Sequence, residues 1–270
     1  MRNKYVFLVI CISLFIGISR AANATDNDGD KESWFSIKAV LVVGPQEDGT
    51  NDAIQSMDEI ADFLSSKGIS VQRFYDKQAV WNRIIASSKD ASIFIYCGHG
   101  STLGGNGRVG GLCLTTMISS EELISELKLQ RNAMVVFKSV CNGAGSSAGD
   151  DGDIGVEEAV RRVSDYSAPF FKIGASCYYA DNMSKGCLDF LKNFFIGKSI
   201  KECFIESANT WAHIETERTF LFDDSMKISI ASINWGGTAV RTSYSNGVKT
   251  VENIPSSKNY DIAFVANPDF

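Results

Sequence analysis

Apolar and polar positions along this chain alternate between two periods. Residues 37–43, IKAVLVV, are apolar at nearly every position, the pattern of a strand buried on both faces. After Gly44-Pro45, with Asn51 or Asp52 as the expected helix cap, Ile54, Met57, Ile60, Ala61 and Leu64 recur three and four residues apart. They line one face of a helix that Gly68 stops. Residues 69–75 give a second strand, and Asp76 is placed to cap a helix carrying Val80, Trp81, Ile84 and Ile85. Residues 91–96 give a third strand, running into Cys97-Gly98-His99-Gly100. The first hundred residues therefore contain a βαβαβ unit.

The alternation continues. A Gly-rich stretch, 103–111, and a strand-like 112–115 precede a helix opened by the capping box Ser119-x-x-Glu122, with Leu123, Ile124 and Leu127 as its apolar face. Residues 133–140 form another buried strand, ending at Cys141, and the loop 142–153 leads to a helix patterned on Val156, Ala159, Val160 and Val163. A fifth strand is expected over 169–177. Helices follow over 184–195 and 199–211, the second with a capping box at Ser199-x-x-Glu202. His213 falls late in that helical stretch, where its expected role is to cap the last carbonyls. Beyond it the period shortens to two, with hairpin turns at Gly236-Gly237 and Asn246-Gly247. The whole pattern predicts an α/β three-layer sandwich around a mostly parallel sheet, with an antiparallel C-terminal extension.

The N-terminus departs from this pattern. Arg2 and Lys4 precede an apolar run over 5–18 and then Ala22-Asn23-Ala24, the layout of a cleaved secretory signal spanning 1–24. The run falls short of the ~20 residues that cross a bilayer as a helix. Cys11 follows Ile10, which does not suit a lipoprotein signal. The expected product is a secreted or periplasmic protein with a short flexible segment, 25–36, and one folded domain, 37–270, with no stable membrane insertion. A net charge of −6 and a pI near 5.1 give no basic footprint for nucleic acid. Six cysteines remain after the signal (Cys97, Cys113, Cys141, Cys177, Cys187, Cys203), none in a C-x-x-C pair, and there are only two histidines. No zinc site is expected, and no disulfide is assigned.

Open parallel sheets carry their sites beyond the carboxyl ends of the strands. Here one strand runs into His99-Gly100 and the next long one ends at Cys141, so an imidazole and a thiol are expected at the same edge of one sheet. A thiolate is the nucleophile of acyl transfer, and a neighbouring imidazole lowers its pKa or relays its proton. Cys141 is followed by loop, Asn142-Gly143-Ala144-Gly145-Ser146-Ser147, whereas a cysteine inside an apolar strand is ordinarily a small buried hydrophobe.

SIFIYCGHG and AMVVFKSVCNGAGSS, in this order and with His99 and Cys141 42 residues apart, resemble the joint signature of the caspase–hemoglobinase fold. That group includes caspases, legumains, gingipains, clostripain-like and CHAT/separase-type peptidases, and the resemblance covers about 37–211. It implies a cysteine endopeptidase, acting on peptide or protein substrates through a Cys141–His99 dyad and a thioester acyl-enzyme. It further implies backbone N–H groups of Gly100 and Cys141 as the oxyanion hole and no need for a metal or other cofactor. Many basic-specific relatives carry Asp two residues before the cysteine and caspases carry Gln, whereas this chain has Ser139. Candidate pocket residues are Ser139, Ser176 and Asp181. Acidic residues at 150–153 and 181 suggest cleavage after Arg or Lys.

Gly105-Asn106-Gly107-Arg108-Val109-Gly110 matches a dinucleotide-binding pattern but neither directly follows a strand nor opens a helix, so a hairpin beside the site is expected instead. The run 26–30 resembles the start of a calcium loop, yet Ile37 stands where the bidentate Glu belongs. Asp150, Asp151 and Asp153 read as a solvated turn and helix cap. Two other functions fit the pattern. One is a catalytically inactive, secreted caspase-fold binding module; the other is a flavodoxin-like protein that holds phosphate or flavin at the first strand–helix loop, residues 44–51.

Overall fold

The computed structural model describes residues 37–150, 152–182, 186–208, 212–234, 238–245, 248–255 and 258–266. The expected signal, the segment 25–36 and the two Gly-containing hairpin turns lie outside the described residues. In chain order the strands are β1 (Lys38–Val43), β2 (Ser70–Tyr75), β3 (Ala91–Cys97), β4 (Leu112–Cys113), β5 (Met117–Ile118), β6 (Leu129–Lys138), β7 (Cys177–Asp181), β8 (Ala212–Phe220), β9 (Asp223–Asn234), β10 (Thr238–Ser245), β11 (Val248–Pro255) and β12 (Lys258–Ala266). The helices are α1 (Thr50–Ser66), α2 (Trp81–Ser88), α3 (Ser120–Glu126), α4 (Val156–Lys172), α5 (Gly186–Phe195) and α6 (Ile200–Ala208).

Eight strands join in the order β2-β1-β3-β6-β7-β12-β9-β8. The first five run parallel, and β12, β9 and β8 are added antiparallel. Because successive side chains point to opposite faces, each central strand feeds two cores. Ala39, Leu41 and Val43 pack with Met57, Ile60 and Leu64 of α1 and with α5 and α6, while Val40 and Val42 pack with Trp81 and Ile84 of α2 and with α4. The result is a three-layer α/β sandwich with an antiparallel C-terminal part. The strand order reverses between β1 and β3, so α1 and α2 lie on opposite faces and a crevice opens at the strands' carboxyl ends.

Local signals explain most boundaries. The capping box at α3 forms: the Ser119 hydroxyl accepts the Glu122 N–H at 3.2 Å, and the Glu122 carboxylate accepts the Ser119 N–H at 2.7 Å. The box at α6 forms in the same way between Ser199 and Glu202. Other expectations are corrected. The N-cap of α1 is Gly49, and Asn51 and Asp52 lie within its first turn, where the Asp52 carboxylate complements the helix dipole. Asp76 opens a short 3₁₀ turn at φ +51° and caps no helix; α2 begins only at Trp81. Residues 169–172 are the last turn of α4 rather than a strand, because Phe170 continues that helix's core-facing stripe. Termination comes at Gly174, φ +97°, where the Ala175 N–H turns back to the Phe170 carbonyl at 3.0 Å. His213 is not in a helix: it is exposed near the start of β8, opposite Ser232. No helix among the described residues is long and apolar enough to cross a membrane.

Candidate active site

His99 leaves β3 between two glycines, and each glycine is required by a different neighbour. A Cβ on Gly98 would lie 2.3 Å from the Tyr96 hydroxyl oxygen, and one on Gly100 would lie 2.1 Å from the carbonyl oxygen of Cys141. Real Cβ atoms do not approach so closely, so only glycine lets the two loops touch. The Tyr96 hydroxyl fixes the turn from below. It accepts the Cys113 N–H at 3.0 Å and shares its one proton between the carbonyls of His99, at 3.0 Å, and Cys113, at 3.1 Å. The His99 side chain itself is exposed.

Cys141 leaves β6, the strand next to β3, three residues after its end. Two non-glycine residues in the left-handed region flank it, Ser139 at φ +53° and Asn142 at φ +67°. Such conformations cost about 1–3 kcal/mol each and persist only where surrounding contacts enforce them. Those contacts are present. The Ser139 N–H donates to the Asp181 carbonyl at 2.7 Å, the Asn142 N–H to Ser146 at 2.8 Å, and the Gly143 N–H to Val140 at 2.9 Å. Among the described residues, the N–H groups of Gly100 and Cys141 donate to no protein acceptor. Nor does a hydrogen bond join the His99 and Cys141 side chains; the loops meet through backbone, at Gly100.

One aromatic cluster supports both loops. Phe137 of β6 sits 5.3–5.7 Å from the rings of Tyr96, Tyr166 and Tyr178. Burying these rings fixes their hydroxyls, and all three hydroxyls bind loop backbone. Tyr166 bonds both the N–H and the carbonyl of Ser101, two residues past His99. Tyr178 donates to the Gly143 carbonyl at 2.9 Å, two residues past Cys141.

Exposure separates Cys141 from the other thiols. All six described cysteines are free, and Cys141 alone among them is not buried. Burial pushes the thiols of Cys97, Cys113, Cys177 and Cys187 above the ordinary thiol range, and that of Cys203 to about 12. A thiol held protonated and away from solvent is a poor nucleophile.

Beside Cys141 lies a cleft of about 260 Å³, lined by Ser139, Ser146, Ser147 and Ala148 from the same loop and by Asn182, Asn259 and Asp261. No protein-family model matches this chain, and no curated protein matches it either. The chemistry must therefore be read from the site alone. Of the expected pocket residues, Ser139 lines the cleft and the other two do not. Ser176 precedes β7 at the opposite edge of the sheet, where its hydroxyl bonds Asn132 at 2.8 Å. Asp181 ends β7, but its buried side chain turns towards α5: a Cβ on Gly186 would lie 2.4 Å from one of its carboxylate oxygens. The acidic loop is committed elsewhere too. Asp150 pairs with Arg162 at 2.8 Å, and Asp153 accepts the Gly155 N–H at 2.8 Å and the Tyr260 hydroxyl at 3.1 Å.

The carboxylate that does reach the cleft is Asp261, which the sequence reading missed. It is 5% exposed and sits at an irregularity in β12, where the register against β9 shifts between Tyr260 and Ile262. Asn182 holds it from the side, donating its amide to Asp261 Oδ1 at 3.0 Å and its N–H to the Asp261 carbonyl at 2.9 Å. The sequence signal was faint: one charged residue, Asp261, inside the run 260–266.

Proposed function

We propose that this protein is a cysteine endopeptidase whose nucleophile is Cys141 and whose acid–base group is His99. The observation that carries the reading is the seating of Gly100 on the Cys141 backbone, which ties an exposed imidazole's loop to that of the one described thiol that is not buried. In this mechanism the Cys141 sulfur attacks the carbonyl carbon of the scissile bond. His99 takes the thiol proton and later gives it to the departing amine, leaving a thioester that water hydrolyses. The N–H groups of Gly100 and Cys141, which have no protein acceptor among the described residues, are suited to hold the oxyanion. The Asp261 carboxylate at the cleft wall supports cleavage after Arg or Lys, since a basic side chain would form a charge-assisted pair there. The N-terminal signal pattern supports action outside the cytoplasm.

The flavodoxin-like alternative needs free donors at residues 44–51. There the Gly44 N–H donates to the Cys97 carbonyl at 2.9 Å and the Gln46 N–H to the Thr50 hydroxyl at 2.8 Å, and Glu47 and Asp48 place negative charge where an anionic phosphate would sit, which favours the peptidase reading. The test is labelling with an Arg- or Lys-containing peptidyl acyloxymethyl ketone. Stoichiometric modification of Cys141, absent in Cys141→Ala, is the expected result. An inert Cys141 in a protein without peptidase activity would leave the inactive binding module as the better account.

A further inference from the structure

Arg162, on α4 and 20 residues beyond Asn142, is 14% exposed and reaches back to the loop after Cys141. Its Nη1 donates to the Asn142 side-chain carbonyl at 2.9 Å, to the Gly145 carbonyl at 3.2 Å and to Asp150 at 2.8 Å, while its Nε donates to Glu158 at 2.8 Å. Asp150 is in turn tied to the cleft wall, accepting the Ser147 N–H at 2.7 Å. A single guanidinium thus gathers the residue next to Cys141, a glycine at φ +125° and the acid that braces a cleft-lining serine.

We infer that Arg162 is a positioning residue for the reaction, holding Asn142 in its left-handed conformation so that the Cys141 N–H and thiol keep a fixed relation to the cleft. The inference rests on the peptidase reading given above. Two features distinguish it from a simple stabilising ion pair. Exposed pairs contribute little to stability, whereas this one is mostly buried, and its distinctive contact is to an uncharged side chain adjoining the nucleophile. Lysine cannot replace it, because a point charge on a flexible stem cannot reproduce a planar fork with several fixed donors. Small displacements of a reacting group are costly, and about 1 Å is worth on the order of 10²-fold in rate.

The test is a double-mutant cycle between Arg162→Met and Asn142→Gly, with Arg162→Lys as the conservative variant. Glycine accepts a positive φ without strain, so Asn142→Gly removes the side-chain acceptor and spares the backbone. Expected are falls in kcat on the order of 10–10²-fold for Arg162→Met and Asn142→Gly, KM within about twofold, and a double variant little worse than either single one. Arg162→Lys should recover thermal stability more than kcat. Additive losses in the double variant, wild-type kcat in Arg162→Met, or activity that merely tracks the folded fraction across the series would overturn the inference. Wild-type protein that hydrolyses no peptide and is not labelled at Cys141 would instead remove the peptidase reading beneath it.

Discussion

Gly100 and Cys141 are in direct backbone contact: a Cβ at residue 100 would stand 2.1 Å from the Cys141 carbonyl oxygen and 2.9 Å from the Cys141 Cβ. Neither partner has slack, because Cys141 is flanked by two strained residues and Gly100 precedes the segment bound by Tyr166. Gly100→Ala should therefore push the two loops apart. Turnover is expected to fall on the order of 10²-fold or more while the far-ultraviolet circular dichroism stays that of the wild type, since the clash lies at the sheet edge and outside the core. Near-normal activity in Gly100→Ala would show that the contact does not set the dyad's geometry.

The charge at the cleft gives a second expectation. Asp261→Asn keeps the shape of the side chain and its bond from Asn182 but removes the negative charge. Values of kcat/KM for substrates with Arg or Lys before the scissile bond should drop at least about tenfold, with little change for neutral residues. Ser176→Ala, at the far edge of the sheet, should change neither. Library profiling of both variants checks this, and an unaltered profile in Asp261→Asn would locate the specificity elsewhere.

These two residues also mark how much the sequence disclosed. His99-Gly100 and Cys141 were legible because buried parallel strands are continuous apolar runs, and polar residues at their ends stand out against them. The same contrast hid the supports. Tyr96, Phe137 and Tyr178 look like ordinary core positions, and only the fold reveals that two of the three carry hydroxyls bonded to loop backbone. Asp261 carries no local signal in the sequence, because a register shift depends on how β12 pairs with β9. Residues 169–172 resemble a strand in sequence, with Pro and two Phe in an apolar run, whereas tertiary packing continues α4 through them. His213 reads as a helix end because the capping box at Ser199 opens a helical pattern upstream of it, whereas the residue belongs to β8 and pairs with Ser232 of β9.

Acid should loosen the α4 surface in a defined range. Hydrogen bonds from Arg161 first, and from Arg162 as well, hold the Glu158 carboxyl at about 2, below its ordinary 4.5. A carboxyl with a depressed folded-state pKa contributes stability that is complete above its unfolded value and is lost as pH falls through the folded one. The loss therefore runs from about pH 4.5 down to about pH 2. Glu158 is partly solvated, so with screening the contribution is about 1 kcal/mol. Burial moves neighbouring Asp165 the other way, raising its pKa, so the two carboxyls oppose each other as the pH changes. Comparing wild type with Glu158→Gln isolates the first: the stability difference should shrink across this window, and a constant difference would contradict the assignment.

The dyad carries the most consequential prediction. Cys141→Ala removes the sulfur that forms the acyl-enzyme, and each of the five other described thiols is buried, so turnover should vanish. His99→Ala should cost on the order of 10²–10⁴-fold, the usual scale for a lost acid–base group. Neither side chain belongs to either core cluster, so both variants should melt near the wild-type temperature. Two controls separate the dyad from its surroundings. Cys97→Ser alters a buried thiol that accepts the Gln46 side-chain N–H at 3.7 Å, and His213→Gln alters an exposed residue on an antiparallel strand. Both should retain most activity. Peptide hydrolysis that survives Cys141→Ala, or that depends on His213 in place of His99, would mean that the chemistry lies elsewhere on the molecule.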